Sequence, residues 1–181
     1  MSRESVKQAL LKTIEGIQKN PTASNVVFRS ETKWEEDVRC AVNIRDFPSL
    51  TIDEPPELGG KDAGPNPVEL VLAALGTCQE IMYSAYAAVM DIELESVQVN
   101  VRGYLDLKGL FGLDESIPAG YKRINFETQI KSSASDEALL KLIETVESHC
   151  PVLDILVSGQ NISGTATVNG KQLHSLSKTA A

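Results

Sequence analysis

Cysteines 40, 78 and 150 are the side chains of this sequence with redox and nucleophilic chemistry open to them. Thiol redox chemistry needs a thiolate to attack, a nearby cation to lower its pKa and a second thiol to resolve the product. The absence of Cys-X-X-Cys argues against a thioredoxin-like or zinc-ribbon site. Three scattered cysteines also do not read as the disulfide framework of a small secreted domain. In a reducing compartment a pair of them points to catalysis or redox activity.

Each thiol has an expected setting. Around Cys78, the residues three and four positions away on a helix are Ala74, Leu75, Ile81 and Met82, so the thiol looks into an apolar stripe. Glu69 and Glu80 fall near the opposite side. An apolar setting raises a thiol pKa, and a mid-helix position gives Cys78 no help from its own helix dipole. An arginine from elsewhere must therefore activate it. A buried structural cysteine is the competing reading, since free cysteine is among the most buried residue types. Cys150 extends a helical stripe by four residues from Val146 and sits at a helix C-terminus, where the dipole disfavours a thiolate. That asymmetry suits Cys78 as attacker and Cys150 as resolver. Cys40 falls with Val38, Val42 and Ile44 on the apolar face of an alternating segment and reads as core packing. Arg39 and Arg45 share the other face; a solvated strand arginine is the plain reading of each.

The elements that must position these groups are organised around residues 59–90. A Gly/Pro/Asp loop leads to Asn66, which can cap a helix, with Pro67 at its first position and Glu69 three after the cap. Nothing stops that helix before Asp91, which gives roughly 24 residues, about 36 Å at ~1.5 Å per residue. Apolar residues run nearly all round it, as in a central buried helix. Gln79 and Glu80 in its middle make it a poor membrane span.

Upstream, residues 5–19 read as an amphipathic helix ended by Asn20-Pro21, packed on the main domain or on a second subunit. Residues 25–47 read as strands, beginning with NVVFRS, and 50–53 as another short one. Downstream come a strand region over 94–107 and a loop insertion over 109–120 carrying Leu110, Phe111 and Leu113. A strand over 121–131 follows, then a helix over 136–149 capped by Ser135 and stopped before Pro151. VLDILV gives a helical turn or two, 161–169 a last strand, and the tail from Lys171 is polar and frayed.

With 181 residues the chain can bury one full core, and its net charge of −8 argues against nucleic-acid or anionic-membrane partners. The N-terminus carries Arg3, Glu4 and Lys7 with no apolar signal core after them, so the expected location is cytoplasmic. A metal site from Cys78, Cys150 and His149 is disfavoured, because His149 is turned ~100° from Cys150 on a helix. His149 and His174 read as surface residues, and no cofactor is expected.

GPNPVELVLAALGTC, followed after a strand region and a second helix by HCPVLDIL, resembles the OsmC/Ohr family of thiol peroxidases (osmotically inducible protein C and organic hydroperoxide resistance proteins). The resemblance rests on Asn66-Pro67, Cys78 and Cys150-Pro151 in that order and covers residues 25–169. It implies an α+β fold with curved antiparallel β-sheets around two long helices. It implies an intertwined homodimer with an active site at each end of the interface. Residues 1–21 are then an N-terminal helical extension and 22–181 a single OsmC-like domain. The implied activity is reduction of hydroperoxides, organic ones in one branch, with an external dithiol as reductant. By motif match Cys78 takes the peroxidatic place and Cys150 the resolving place, with a sulfenic acid and then a Cys78–Cys150 disulfide. The activating arginine comes from the N-terminal sheet: Arg39 is the choice and Arg45 the reserve. The best-studied branch has a glutamate directly after Asn-Pro. This chain has Val68 there and Glu69 one later, where capping explains it. The departure keeps a second function open, a small-ligand binding or redox-sensing protein on the same fold.

Overall fold

The computed structural model describes residues 3–179. Its elements in chain order are α1 (Arg3–Lys19), β1 (Glu31–Glu36), β2 (Arg39–Asn43), β3 (Leu50–Ile52), α2 (Pro67–Val89), β4 (Ser96–Leu105), α3 (Leu107–Leu110), β5 (Tyr121–Lys131), α4 (Asp136–His149), α5 (Pro151–Ser158), β6 (Ile162–Val168) and β7 (Lys171–Lys178). The fold is α+β with three antiparallel sheets, β1-β2-β3, β4-β5 and β6-β7.

Local chemistry fixes the start of α2. The Asn66 side chain accepts from the Glu69 N–H at 2.9 Å, and the Glu69 carboxylate accepts from the Asn66 N–H at 2.9 Å. Two donors that the first helical turn leaves unpaired are thereby satisfied. Proline at the first position needs no N–H partner.

The loop before α2 is ordered by one buried carboxylate. Asp53, 2% exposed, accepts from the N–H groups of Glu54, Lys61 and Ala63 at 2.9, 3.0 and 3.1 Å. Those bonds, that from Ala63 foremost, hold its carboxyl below the usual carboxylate range. The loop folds so tightly that a Cβ on Gly60 would lie 1.7 Å from the Glu54 carbonyl oxygen.

Around α2 the other elements assemble: α1, β4, α4 and α5 all pack on it. Gly76 lets β4 approach, since a Cβ there would meet the Val101 methyl at 3.3 Å. The Tyr121 hydroxyl at the start of β5 donates to the Val68 carbonyl at 2.9 Å, tying that strand to the first turn of α2. On the far side, Tyr83, Ala87 and Ile92 close a core with Leu142 and Val146 of α4. α1 is docked on α2 within the same chain, and Lys7 pairs with Asp91 just beyond the α2 C-terminus. Packing on its own domain, one of the two expectations for this helix, is therefore observed.

The structure corrects four expectations. Residues 25–30 form no strand; the strand is β1, whose register comes from the tight turn at Asp37–Val38 and pairing with β2. β-Branched residues alone do not make a strand without a partner to pair with. The polar tail is β7, not frayed: Asn169 and Gly170, both at positive φ, form a two-residue hairpin turn onto β6. Cys40 is half-buried opposite Trp34 and Ile52 rather than in the core. Arg45 lies beyond the end of β2 at φ 50°, its guanidinium over the Phe47 ring, so it does not share a strand face with Arg39. In the 109–120 segment Leu110, the last residue of the single-turn α3, and Phe111 and Leu113 beyond it are exposed.

Candidate active site

Cys78 lies midway along α2, one turn from the buried Leu75. Cys150 lies between two helices. Pro151 cannot extend α4, so Cys150 takes an extended conformation (φ −74°, ψ 110°) that ends α4 and starts α5. This kink turns the first N–H groups of α5 towards α2. The Val152 N–H and the Cys150 thiol both lie close enough to Cys78 to act on its charge. Cys150 is fully buried and Cys78 partly exposed. Cys78 is thus the more accessible of the two thiols.

Burial pushes the Cys78 thiol up, the Val152 N–H pulls it back, and the neighbouring Cys150 thiol adds to the rise. Among the described residues no cation acts on it. Arg39 instead pairs with Glu35 at 3.1 Å and Glu36 at 3.0 Å. Within one chain, then, the two helical cysteines are together and both candidate arginines are engaged elsewhere. The Val152 N–H was missed from the sequence because only the dipole of Cys78's own helix was considered. The signal was present in Cys150-Pro151, a proline suited to the first position of a new helix.

His149 does not face the thiols as a ligand: its Nδ1 lies 2.9 Å from the Thr145 carbonyl and its ring packs on Tyr86. Among the described residues no group of three or more His, Cys, Asp or Glu could hold a metal ion. Among the described residues no helix is long and apolar enough to cross a membrane.

The α+β fold of this chain is shared with known proteins. The OsmC-like protein family model matches residues 59–164, which span α2, both thiols and the start of β6, and the chain belongs to that family. It is similar to the hydroperoxide reductase of Mycoplasma genitalium, 29% identical over 121 residues, 65% of this chain and 79% of that protein. In fold it is similar to the OsmC-like protein of Mycoplasma pneumoniae (TM-score 0.63, 21% identity, 75% of this chain and 90% of that one). It is also similar to an organic hydroperoxide resistance protein of Legionella pneumophila (TM-score 0.55, 21% identity, 73% and 91%).

Proposed function

We propose that this protein is a two-cysteine hydroperoxide reductase that acts on organic hydroperoxides. The observation that carries the reading is the juxtaposition of a partly exposed Cys78 with a buried Cys150. Its membership of the OsmC-like family and its similarity to a hydroperoxide reductase support the same chemistry. The Cys78 thiolate attacks the peroxide: the O–O bond breaks, an S–O bond forms, and the alkoxide takes a proton and leaves as an alcohol. Cys150 then displaces the oxygen of the sulfenic acid as water and closes a Cys78–Cys150 disulfide. An external dithiol reduces that disulfide, in keeping with a cytoplasmic setting.

The working unit in this reading is a homodimer. Val26, Val27 and Phe28, the α5 residues Ile155 to Val157, and Leu173 of β7 are large apolar side chains exposed in the single chain. A second copy is the occupant that the family resemblance supplies for them. The same partner would bring its own Arg39, half-buried at the start of β2, to Cys78. The test is peroxide consumption under a dithiol reductant: Cys78→Ser abolishes it, and Cys150→Ser leaves a trappable sulfenic acid at Cys78. Full turnover by Cys78→Ser overturns the assignment.

The upward-shifted Cys78 thiol, with no cation acting on it in the single chain, favours one second reading: a slow redox-sensing or ligand-binding protein. In that case peroxide oxidises Cys78 no faster than an ordinary thiol.

A further inference from the structure

We infer that Gln79 is a positioning residue that holds the Cys150 thiol for attack on oxidised Cys78; this rests on the two-cysteine reading above. Gln79 is 0% exposed, yet neither its Oε1 nor its Nε2 has a hydrogen-bond partner among the described residues. Buried polar atoms left unpaired oppose folding, and an apolar side chain of the same length would carry no such cost. The neighbours along this face of α2 are apolar or aromatic: Leu75 four residues before and Tyr83 four residues after, both buried.

The packing tells what faces Gln79. Leu75 lines one cavity together with Leu153 of α5. Tyr83 shares the core cluster with Val146 and Leu142 of α4. The two stripes thus run antiparallel, Leu75 against Leu153 and Tyr83 against Val146. Gln79 is the middle rung on α2. Cys150, between Val146 and Leu153, is the middle rung opposite. The packing of α4 and α5 on α2, with Cys150 near enough to act on the Cys78 thiol, also sets Cys150 beside this turn of α2.

A carboxamide unpaired in the reduced protein, on the same rung as the buried thiol, gains partners once Cys78 carries oxygen. Oε1 accepts the Cys150 S–H and aligns the sulfur, and an Nε2–H donates to the sulfenic oxygen. In the step itself the S–S bond forms and the S–O bond breaks. The Cys150 proton passes to the departing oxygen, and one water is released. No other reactant is needed.

The test replaces Gln79 by methionine, similar in length and without hydrogen-bonding capacity. Disulfide closure is driven in two ways, by an alkyl hydroperoxide and by diamide, an oxidant of dithiols that needs no peroxidase activity. In Gln79→Met the expected outcome is formation of Cys78 sulfenic acid at an unchanged rate. Disulfide closure slows about tenfold, the effect of one lost hydrogen bond in the transition state, and the melting temperature is equal or higher. Closure at the wild-type rate under both oxidants overturns the inference. If wild-type Cys78 resists peroxide but the variant still closes more slowly under diamide, the peroxidase reading fails and the positioning role stands. Should the variant not fold, the wild-type protein supplies the second readout. The Gln79 side-chain amide resonances shift between the reduced and sulfenic states (the latter held in Cys150→Ser), and unchanged resonances overturn the inference.

Discussion

Gly103 in β4 lies against the Tyr121 ring so closely that a Cβ would sit 2.3 Å from Cε1 and 2.6 Å from Cζ. Carbon atoms in contact prefer about 3.5–4 Å, so in Gly103→Ala the ring must retreat by about 1 Å or more. Retreat breaks the 2.9 Å bond from the Tyr121 hydroxyl to the Val68 carbonyl, which anchors β5 to the first turn of α2. Overpacking costs about 1–3 kcal/mol and the lost hydrogen bond about 1 kcal/mol. Reduced freedom of the unfolded chain returns about 0.4–1 kcal/mol. The net expectation is a loss of about 2 kcal/mol, or about 4–8 °C in Tm for a chain of this size. The assay is thermal melting of a double-mutant cycle. With Tyr121→Ala as background the obstructing ring is gone, and Gly103→Ala becomes close to neutral. An equal loss in both backgrounds, or no loss in either, refutes the argument that Gly103 exists to seat this ring.

Further outcomes follow from the same geometry. Asp53 is held ionised by three backbone donors, so its folded-state pKa lies below the unfolded value. The stability it contributes is fully present above about pH 4 and is lost as the pH falls through the folded value. Asp53→Asn therefore melts below wild type at pH 7, and the gap narrows in acid; a gap that is constant with pH counts against the loop account. If a second copy brings Arg39 to Cys78, as proposed above, replacement of Arg39 by Gln moves the midpoint of Cys78 alkylation to higher pH and slows alkylation at neutral pH. An unmoved midpoint removes Arg39 from the site. In the proposed homodimer, Val157→Asp on the exposed face of α5 yields a monomer by light scattering, whereas a dimer that persists in the variant places the interface elsewhere.

What was legible in the sequence is what local chemistry decides. The capping box at Asn66 and Glu69, the Ser135 cap and Pro151 mark where α2, α4 and α5 begin, and α4 and β5 were read to their bounds. Long-range pairing was not legible. β1 is rich in glutamate and owes its conformation to β2. Asp53 owes its role to N–H groups eight and ten residues later. Asn169-Gly170 did announce a hairpin, and the polar tail after it was under-read. At the site, the two thiols were legible through their motifs. The Val152 N–H depends on how α5 is aimed at α2, which no helical projection of α2 contains. Gln79 stood in plain view as a polar residue in an apolar helix, but only burial reveals that it has no partner.

The most direct test of the central claim is stopped-flow oxidation of the reduced protein by an alkyl hydroperoxide and by hydrogen peroxide, with the cysteines then mapped by mass spectrometry. The account predicts oxidation far faster than that of an ordinary thiol, faster with the alkyl hydroperoxide, and ending in a disulfide between Cys78 and Cys150 with Cys40 still reduced. Sluggish oxidation, or a disulfide that includes Cys40, would contradict it.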